Sequence, residues 1–216
     1  MSELNTIADA MALAPHGPGR RKEERKRLIY RLVQIEHEGD QGLARCRNIS
    51  ESGLKLELTM NVTLDARMTV AFSDAHVFAG TVIWRKGGHC GVHLDEPVDY
   101  DAMLRASAAA MRRQGQPGLR LARGLTAMLR CDGRTRPMQV SEVTQHGLKL
   151  MHDGNLHSSL QLGIRFGVGR ERQGIVRWSD GKLADVVLLE PFSVGELGSL
   201  AALDAMATGT SRVWVL

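Results

Sequence analysis

One segment of the sequence occurs twice, and its second occurrence lies 94 positions after the first. Residues 52–56 read Ser-Gly-Leu-Lys-Leu, and residues 146–150 read His-Gly-Leu-Lys-Leu. The same shift, without a gap, relates further identical residues: Phe72 and Phe166, Gly80 and Gly174, Val82 and Val176, Trp84 and Trp178, Gly87 and Gly181, Val92 and Val186, Leu94 and Leu188. A single period held over this length predicts two copies of one domain, the second beginning near residues 114–118.

Each copy has the pattern of short β-strands. Leu54, Leu56 and Leu58 alternate with polar residues, which is the period-2 signature of a strand with one buried face. Comparable segments, separated by Gly, Asp and Asn, are 28–36, 43–49, 67–72, 77–84 and 89–94. Six short strands with turn signals between them predict a mainly β fold, in which each copy forms a small six-stranded barrel.

A helix is predicted after each barrel, over 100–113 and 192–206, because both stretches are rich in Ala, Leu and Met. The N-terminal residues, with two prolines and two glycines near their end, indicate a flexible lead-in. The predicted organisation is a flexible segment at 1–19, a first barrel at 20–98, a helical linker at 99–117, a second barrel at 118–195, and a C-terminal helix and tail at 196–216.

The composition is that of a globular protein, with 43% hydrophobic and 24% charged residues. No apolar run approaches the roughly 18 to 20 residues that span a bilayer, and acidic residues precede any basic one at the N-terminus, so neither a membrane span nor a secretory signal is predicted. The cysteines, Cys46, Cys90 and Cys131, are odd in number and lack CxxC spacing. We therefore expect no disulfide framework, no zinc site and a reducing cytoplasmic location.

The net charge of +4 hides two basic clusters on an otherwise acidic chain. Residues 20–31 contain seven bases and two acids, and residues 105–136 contain eight arginines and one acid. Taken alone, the first cluster fits an anion site, a solvated charge face, a nonspecific nucleic-acid arm or an anionic-membrane patch. The second, which includes Arg112, Arg113, Arg120 and Arg123, fits an anion-binding or acidic-partner surface, or a solvated one.

Two motifs of the first copy stand in a characteristic order. Arg21 and Arg25 form an RxxxR motif before the first strand, and residues 48–53 read Asn-Ile-Ser-Glu-Ser-Gly, an NxSxxG motif after the second. In an extended segment Asn48 and Ser50 point to one face and Ile49 into the core. We expect Gly53 to allow a positive φ at the turn and a ligand to approach its backbone.

These motifs resemble those of the PilZ domain, the bacterial receptor module for cyclic di-GMP, over about residues 20–97. The segments 80–84 and 91–94 look like the family's closing strands. The resemblance implies two PilZ-type barrels in tandem and cyclic di-GMP as the ligand of the first, with no other cofactor. It also implies that a basic residue directly before the motif, here Arg20, favours a stacked pair of ligands over a single one.

Arginine suits this ligand, because its planar fork pairs with phosphate oxygens or with guanine O6 and N7 and also stacks on a base. We expect Arg21 and Arg25 to close over the bases and phosphates, while Asn48 and Ser50 orient one guanine. Trp84 and Trp178 are expected to cap the barrel cores, and Trp84 is a further candidate for ligand contact.

The second copy has lost these residues. Gly115 and Leu119 replace the two arginines, and Glu142 and Thr144 replace Asn48 and Ser50, whereas Gly147 is kept. A carboxylate at Glu142 repels a phosphate-rich ligand unless it is protonated. Arg130 and Arg134 have RxxxR spacing, but they lie beyond the first strand of their copy. The second barrel is therefore predicted to be a degenerate PilZ domain, kept for packing or for a partner.

The predicted function is that of a cyclic di-GMP receptor acting on an unidentified protein partner, in motility, biofilm or polysaccharide control. The alternative is a protein-interaction adaptor of PilZ fold that does not depend on the nucleotide. No catalytic motif is present, so we expect no enzymatic activity. His89 and His93 share one strand face, but a metal site would need ligands from elsewhere, and none is predicted. We expect no specific nucleic-acid binding.

Overall fold

The computed structural model describes residues 26–103, 105, 119–122 and 124–208. It contains two closed six-stranded antiparallel barrels, which confirms the predicted fold class. The strands of the first barrel are β1 Lys26–His37, β2 Asp40–Ser50, β3 Gly53–Glu57, β4 Arg67–Ser73, β5 His76–Lys86 and β6 His89–Leu94. Those of the second are β7 Leu125–Cys131, β8 Arg134–Val143, β9 Gly147–Met151, β10 Gln161–Arg165, β11 Arg172–Ser179 and β12 Leu183–Leu188.

The repeat in the sequence is a repeat in topology. The first barrel has the strand order β1-β2-β3-β6-β5-β4, and the second has the equivalent order β7-β8-β9-β12-β11-β10. The first hairpin of each barrel turns at a residue pair with positive φ, Glu38 and Gly39 at 50° and 76°, and Asp132 and Gly133 at 48° and 73°. Turns of this kind match the right-handed twist of paired strands.

The predicted alternation is visible in the barrel cores. Leu54 and Leu56 are buried, whereas Lys55 between them is only half-buried. Ile49 is 1% exposed, as its place between Asn48 and Ser50 predicts. Each barrel buries its own apolar cluster, because inward-facing side chains alternate with outward-facing ones along every strand.

Two β-bulges occur at equivalent positions in both barrels. The register shifts between Cys46 and Asn48 on β2, and between Val82 and Trp84 on β5. The second barrel repeats these shifts on β8 and β11. A bulge inserts one extra residue and so reverses the side-chain alternation beyond it. Because of the first bulge, Asn48 and Ser50 face outward although Ala44 and Cys46 on the same strand are buried.

A helix follows each barrel. Helix α1 comprises residues 100–103 and 105 of the described chain, and the rest of the range predicted for it, 100–113, lies outside the described residues. Helix α2 is Leu200–Thr208. The prediction that this helix begins at residue 192 is wrong, because residues 192–199 form turns that pack against the first barrel. In the part of the chain that the structure describes, no helix combines the length and apolar character required to cross a membrane.

The two barrels share a buried junction. Leu43 of β2 is 1% exposed and belongs to the apolar cluster of the second barrel, and its backbone N–H donates to the carbonyl of Leu197 at 2.7 Å. A β-carbon at Gly42 would lie 2.1 Å from the carbonyl oxygen of Gly198, so only glycine permits this approach. The carboxylate of Asp40 accepts hydrogen bonds from the Ser199 hydroxyl and from the N–H of Ala201. Strand β2 therefore carries the junction at its start and the NxSxxG motif at its end.

Candidate functional site

A small open cavity of about 80 Å³ lies on the first barrel, between β2, β3, β5 and β6. Four of the sequence-predicted residues line the cavity together, namely Asn48, Ser50, Gly53 and Trp84. It is also lined by residues that the sequence did not predict to contact a ligand: Ile49, Ser52, Leu54, Lys55, Ile83, Gly91, Val92 and His93.

Asn48 and Ser50 reach the cavity from the end of β2. Asn48 pairs with Lys55 of β3, and Ser50 pairs with Gly53. The Ser50 hydroxyl donates to the carbonyl of Gly53 at 3.3 Å, which holds the turn. Within the described residues the side-chain amide of Asn48 has no hydrogen-bond partner. Its donors and acceptor are therefore available for a ligand with both kinds of group, such as a purine edge.

Gly53 is required for a reason other than the expected one. Its φ is not positive, so the expectation of a left-handed turn residue is wrong. A β-carbon at Gly53 would lie 2.9 Å from the carbonyl oxygen of Val92 on β6. The equivalent Gly147 has the same role, since its β-carbon would lie 2.5 Å from the carbonyl oxygen of Val186. Glycine is kept in both barrels because two strands meet there closely.

Trp84 lies on the outside of the barrel, against Gly91. A β-carbon at Gly91 would lie 2.0 Å from Nε1 of Trp84, so the indole rests on the backbone of β6. The expectation that Trp84 and Trp178 cap the cores is wrong, because neither belongs to a buried cluster. The bulge after Val82 turns Trp84 outward. The signal in the sequence was Gly91, since a glycine inside a strand often marks a close approach.

Lys55 and His93 bring positive or ionisable groups to the cavity. Lys55 was overlooked because it lies two residues after the NxSxxG motif, on the polar face of β3. His93 is exposed on β6, where its Cα pairs with Gly53. Together with the Asn48 amide, they give one side of the cavity the donors that an anionic ligand requires.

The arginines of the RxxxR motif, Arg21 and Arg25, and the preceding Arg20 lie outside the described residues. The described chain begins at Lys26, whose Cα pairs with Ile49, and Arg27 pairs with Asn48. Lys26 and Arg27, which belong to the basic cluster at residues 20–31, thus pair with the NxSxxG segment.

The cysteines beneath this surface are unsuited to catalysis. Burial raises the pKa of Cys46 to about 12 and the pKa of Cys90 to about 11, so both thiols remain protonated near neutral pH. Among the described residues, no group of three or more His, Cys, Asp or Glu side chains is arranged to hold a metal ion.

The second RxxxR spacing does not reach an equivalent site. Arg130 and Arg134 flank the β7–β8 hairpin turn, and Arg130 forms an ion pair with Glu171. The hydrogen bond that the Arg130 guanidinium donates to Glu171 lowers the pKa of the Glu171 carboxyl. One of the two arginines is thus already engaged within the barrel.

Residues 19–109 match the PilZ domain family, over a segment that contains both motifs and all six strands of the first barrel. The match assigns the PilZ domain to the first barrel. The second barrel lies outside the matched residues, but it repeats the strand order and both bulges, so the two barrels form a tandem arrangement.

The chain is also similar to solved structures. PlzA of Borreliella burgdorferi, in complex with c-di-GMP, is 9% identical, with 87% of this chain and 94% of that chain covered and a TM-score of 0.36. The inhibitor of motility MotI/DgrA of Bacillus subtilis is 14% identical, with 83% and 94% covered and a TM-score of 0.29. YcgR of Escherichia coli, in complex with c-di-GMP, is 10% identical, with 73% and 75% covered and a TM-score of 0.28. A search of curated protein sequences gave no match.

Proposed function

We propose that this protein is a cyclic di-GMP receptor, in which the cavity of the first barrel holds the ligand and the RxxxR segment closes over it. The observation that carries the proposal is the convergence of Asn48, Ser50 and Trp84 on one cavity, in a PilZ domain whose basic run enters the barrel beside them.

Each residue has a distinct task in this proposal. The Asn48 amide meets the polar edge of a guanine because it both donates and accepts, and the Ser50 hydroxyl adds an acceptor there. Trp84, held on Gly91, offers an aromatic surface for a base. Arg21 and Arg25 bind the phosphates and the second base, which a lysine would serve less well because it lacks the planar fork. Arg20 adds a basic residue that favours two stacked ligands.

Isothermal titration calorimetry with cyclic di-GMP tests these roles. Arg21→Ala or Arg25→Ala should weaken binding at least tenfold, which is about 1.4 kcal/mol. Arg134→Ala is the matched control, because it removes an arginine of the same spacing from the second barrel and should leave affinity unchanged. Unchanged affinity in both motif variants would refute the proposal for the arginines. The stoichiometry of the wild-type titration, compared with Arg20→Ala, decides between one ligand and two.

The output is proposed to be a change in binding to a protein partner. The second barrel exposes Trp178 and Val187, both at 39%, on the face equivalent to the ligand site. This exposed apolar surface is suited to binding a protein partner. It fits partner binding that the ligand controls, and it fits equally the alternative function, a PilZ-fold adaptor that does not depend on the nucleotide. Ligand at 100 times its dissociation constant should stabilise a receptor by about 2.7 kcal/mol, whereas an adaptor would show no thermal shift. A pull-down with and without cyclic di-GMP then shows whether partner binding responds.

A further inference from the structure

The two barrels place a lysine at the same point of the same surface. Lys55 on β3 lies opposite Asn48, and Lys149 on β9 lies opposite Glu142. In each barrel the bulge on the neighbouring strand creates this pairing, because without it Arg47 and Ser141 would stand opposite the lysines. The two sites therefore differ in the residue that faces an otherwise equivalent ammonium group.

In the second barrel the ammonium group has its own counter-ion. Nζ of Lys149 lies 2.9 Å from the Glu142 carboxylate, and both side chains are about 30% exposed or less. A carboxylate at this distance neutralises the lysine and occupies its donors. An added anionic ligand would have to compete with Glu142 for the same group.

In the first barrel that counter-ion is missing. Asn48 offers a neutral amide, and within the described residues Lys55 takes part in no hydrogen bond or ion pair. Lys55 is half-buried and lines the cavity. A partly desolvated ammonium group without an anion is unfavourable, and a bound anion removes that penalty. The cavity thus carries a positive group that is free to bind a ligand.

We propose that Lys55 is a ligand-binding residue of the first barrel that donates to a phosphodiester oxygen of the bound dinucleotide. This inference rests on the proposed function, since it assigns one group of the same ligand to one more residue of the same cavity. Phosphate is favoured over the guanine edge because an ammonium is a compact point charge, and the phosphodiester is the only charged group of the ligand. The Asn48 amide beside it is suited to the neutral purine edge.

The test compares Lys55→Gln with Lys149→Gln in titrations with cyclic di-GMP at about 0.05 M and 0.3 M salt. Lys55→Gln should weaken binding about fivefold to tenfold at low salt, an effect expected for one charge-assisted hydrogen bond at a partly exposed site. It should also make binding less dependent on salt, because one ion pair to the ligand is gone. Lys149→Gln should change neither quantity, and Lys55→Arg should keep the wild-type salt dependence.

The outcomes separate the two proposals. If the wild type does not bind cyclic di-GMP, the proposed function fails and this inference fails with it. If the wild type binds and Lys55→Gln has wild-type affinity, only the assignment of Lys55 is wrong. Weaker binding with an unchanged salt dependence would mean that Lys55 supports the fold or touches a base, and it would overturn the phosphate contact. Circular dichroism of each variant shows that the barrels are folded.

Discussion

The two barrels share one topology but differ in site chemistry. Strand order, hairpin turns and both bulges repeat, whereas the residues on the surface that these features create do not. The first barrel places Asn48 and Gly91 there, and the second places Glu142 and Asp185. A bulge therefore turns a side chain outward whatever its identity, and the identity of that side chain decides whether the surface can bind a ligand.

The second barrel satisfies its own surface charges. Glu142 pairs with Lys149, and Asp185 pairs with Arg177 at 2.7 Å. Asp185 also stands where Gly91 lets the indole of Trp84 rest on the backbone, and Trp178 is 39% exposed. The first barrel has neither ion pair at the equivalent positions, because Asn48, Ile83 and Gly91 are uncharged. The polar site of the first barrel is therefore open to a ligand, whereas the charged side chains on the equivalent surface of the second barrel pair with one another.

A second difference lies at the other end of the barrels. Arg172 of the second barrel is buried over the Phe192 ring, at 4.2 Å from its centroid, and pairs with Glu196. The first barrel has Phe78 in place of Arg172, in edge contact with Phe72 at 5.9 Å. The second barrel also has an aromatic pair, Phe166 and Phe192, at 5.9 Å, and in the first barrel Arg31 lies over the Phe72 ring at 5.8 Å. The difference is that Arg172 is buried and pairs with a carboxylate.

The largest expected effect concerns the junction, where Leu43 of β2 enters the apolar cluster of the second barrel. Leu43→Ala should lower the free energy of unfolding by about 2 to 5 kcal/mol, because it leaves a cavity in the core of the second barrel. Urea denaturation followed by circular dichroism measures the change. Pro137 is the equivalent residue of the second barrel and is exposed, so Pro137→Ala should change stability by less than about 0.5 kcal/mol. Equal effects of the two variants would show that Leu43 does not join the barrels.

The second prediction converts the first site into the second. Asn48→Glu should weaken cyclic di-GMP binding at least tenfold, or about 1.4 kcal/mol, because the new carboxylate pairs with Lys55 and repels the phosphates. Calorimetry measures the affinity. Glu142→Asn removes the carboxylate from the other barrel and should leave the affinity as it is. Full binding by Asn48→Glu would show that this position does not face the ligand.

A smaller effect is expected at Gly91. In Gly91→Ala the added methyl group must displace the Trp84 indole, which should weaken binding about threefold. The displaced indole meets more water, so its fluorescence should shift to longer wavelength in a Trp178→Phe, Trp214→Phe background. Asp185→Ala is the matched change in the second barrel, and there the Trp84 emission should not move. An unchanged emission in Gly91→Ala would contradict the packing of Trp84 on β6.

The smallest effect is the acid response of the second barrel. Burial by itself raises the pKa of Glu196, but hydrogen bonds from the Ser193 N–H, the Arg172 guanidinium and the Ser193 hydroxyl outweigh it and lower the pKa from 4.5 to about 2. A carboxyl with a lowered pKa stabilises the fold fully above about pH 4.5, and this contribution is lost as the pH falls toward 2.

Urea midpoints at pH 5 and pH 3 measure this response. The wild type should lose more stability between the two than Glu196→Gln does, because the variant has no carboxyl to protonate. Glu190→Gln removes an exposed carboxyl of the same barrel and should retain the wild-type difference. If Glu196→Gln loses as much stability between pH 5 and pH 3 as the wild type does, protonation of Glu196 is not the cause of the loss.

Local patterning was enough to predict the barrels. The alternation of Leu54 and Leu56 with polar residues, and the glycine-rich turns, predicted six strands in each copy. Asn48 and Ser50 were placed on one face, with Ile49 buried between them, and the structure shows this arrangement. These features depend on neighbours along the chain, so the sequence contains them directly.

Other features were missed or misinterpreted because they depend on contacts across strands. Regular alternation from Val82 would place Trp84 in the core, but the bulge turns it outward onto Gly91. The start of helix α2 was placed at 192 instead of Leu200, because the intervening turns are held by contacts with the first barrel. Lys55 was overlooked since its importance depends on which residue faces it.

Three features follow from the sequence alone, because each depends on residue identity and period: the duplication, the barrel class and the loss of the motif residues in the second copy. Three contacts become visible only in the tertiary structure: the pairing of Lys55 with Asn48, the packing of Trp84 on Gly91 and the insertion of Leu43 into the core of the second barrel. Each of these depends on register, and one extra residue in a strand changes which side chains face one another while the local pattern on either side stays the same.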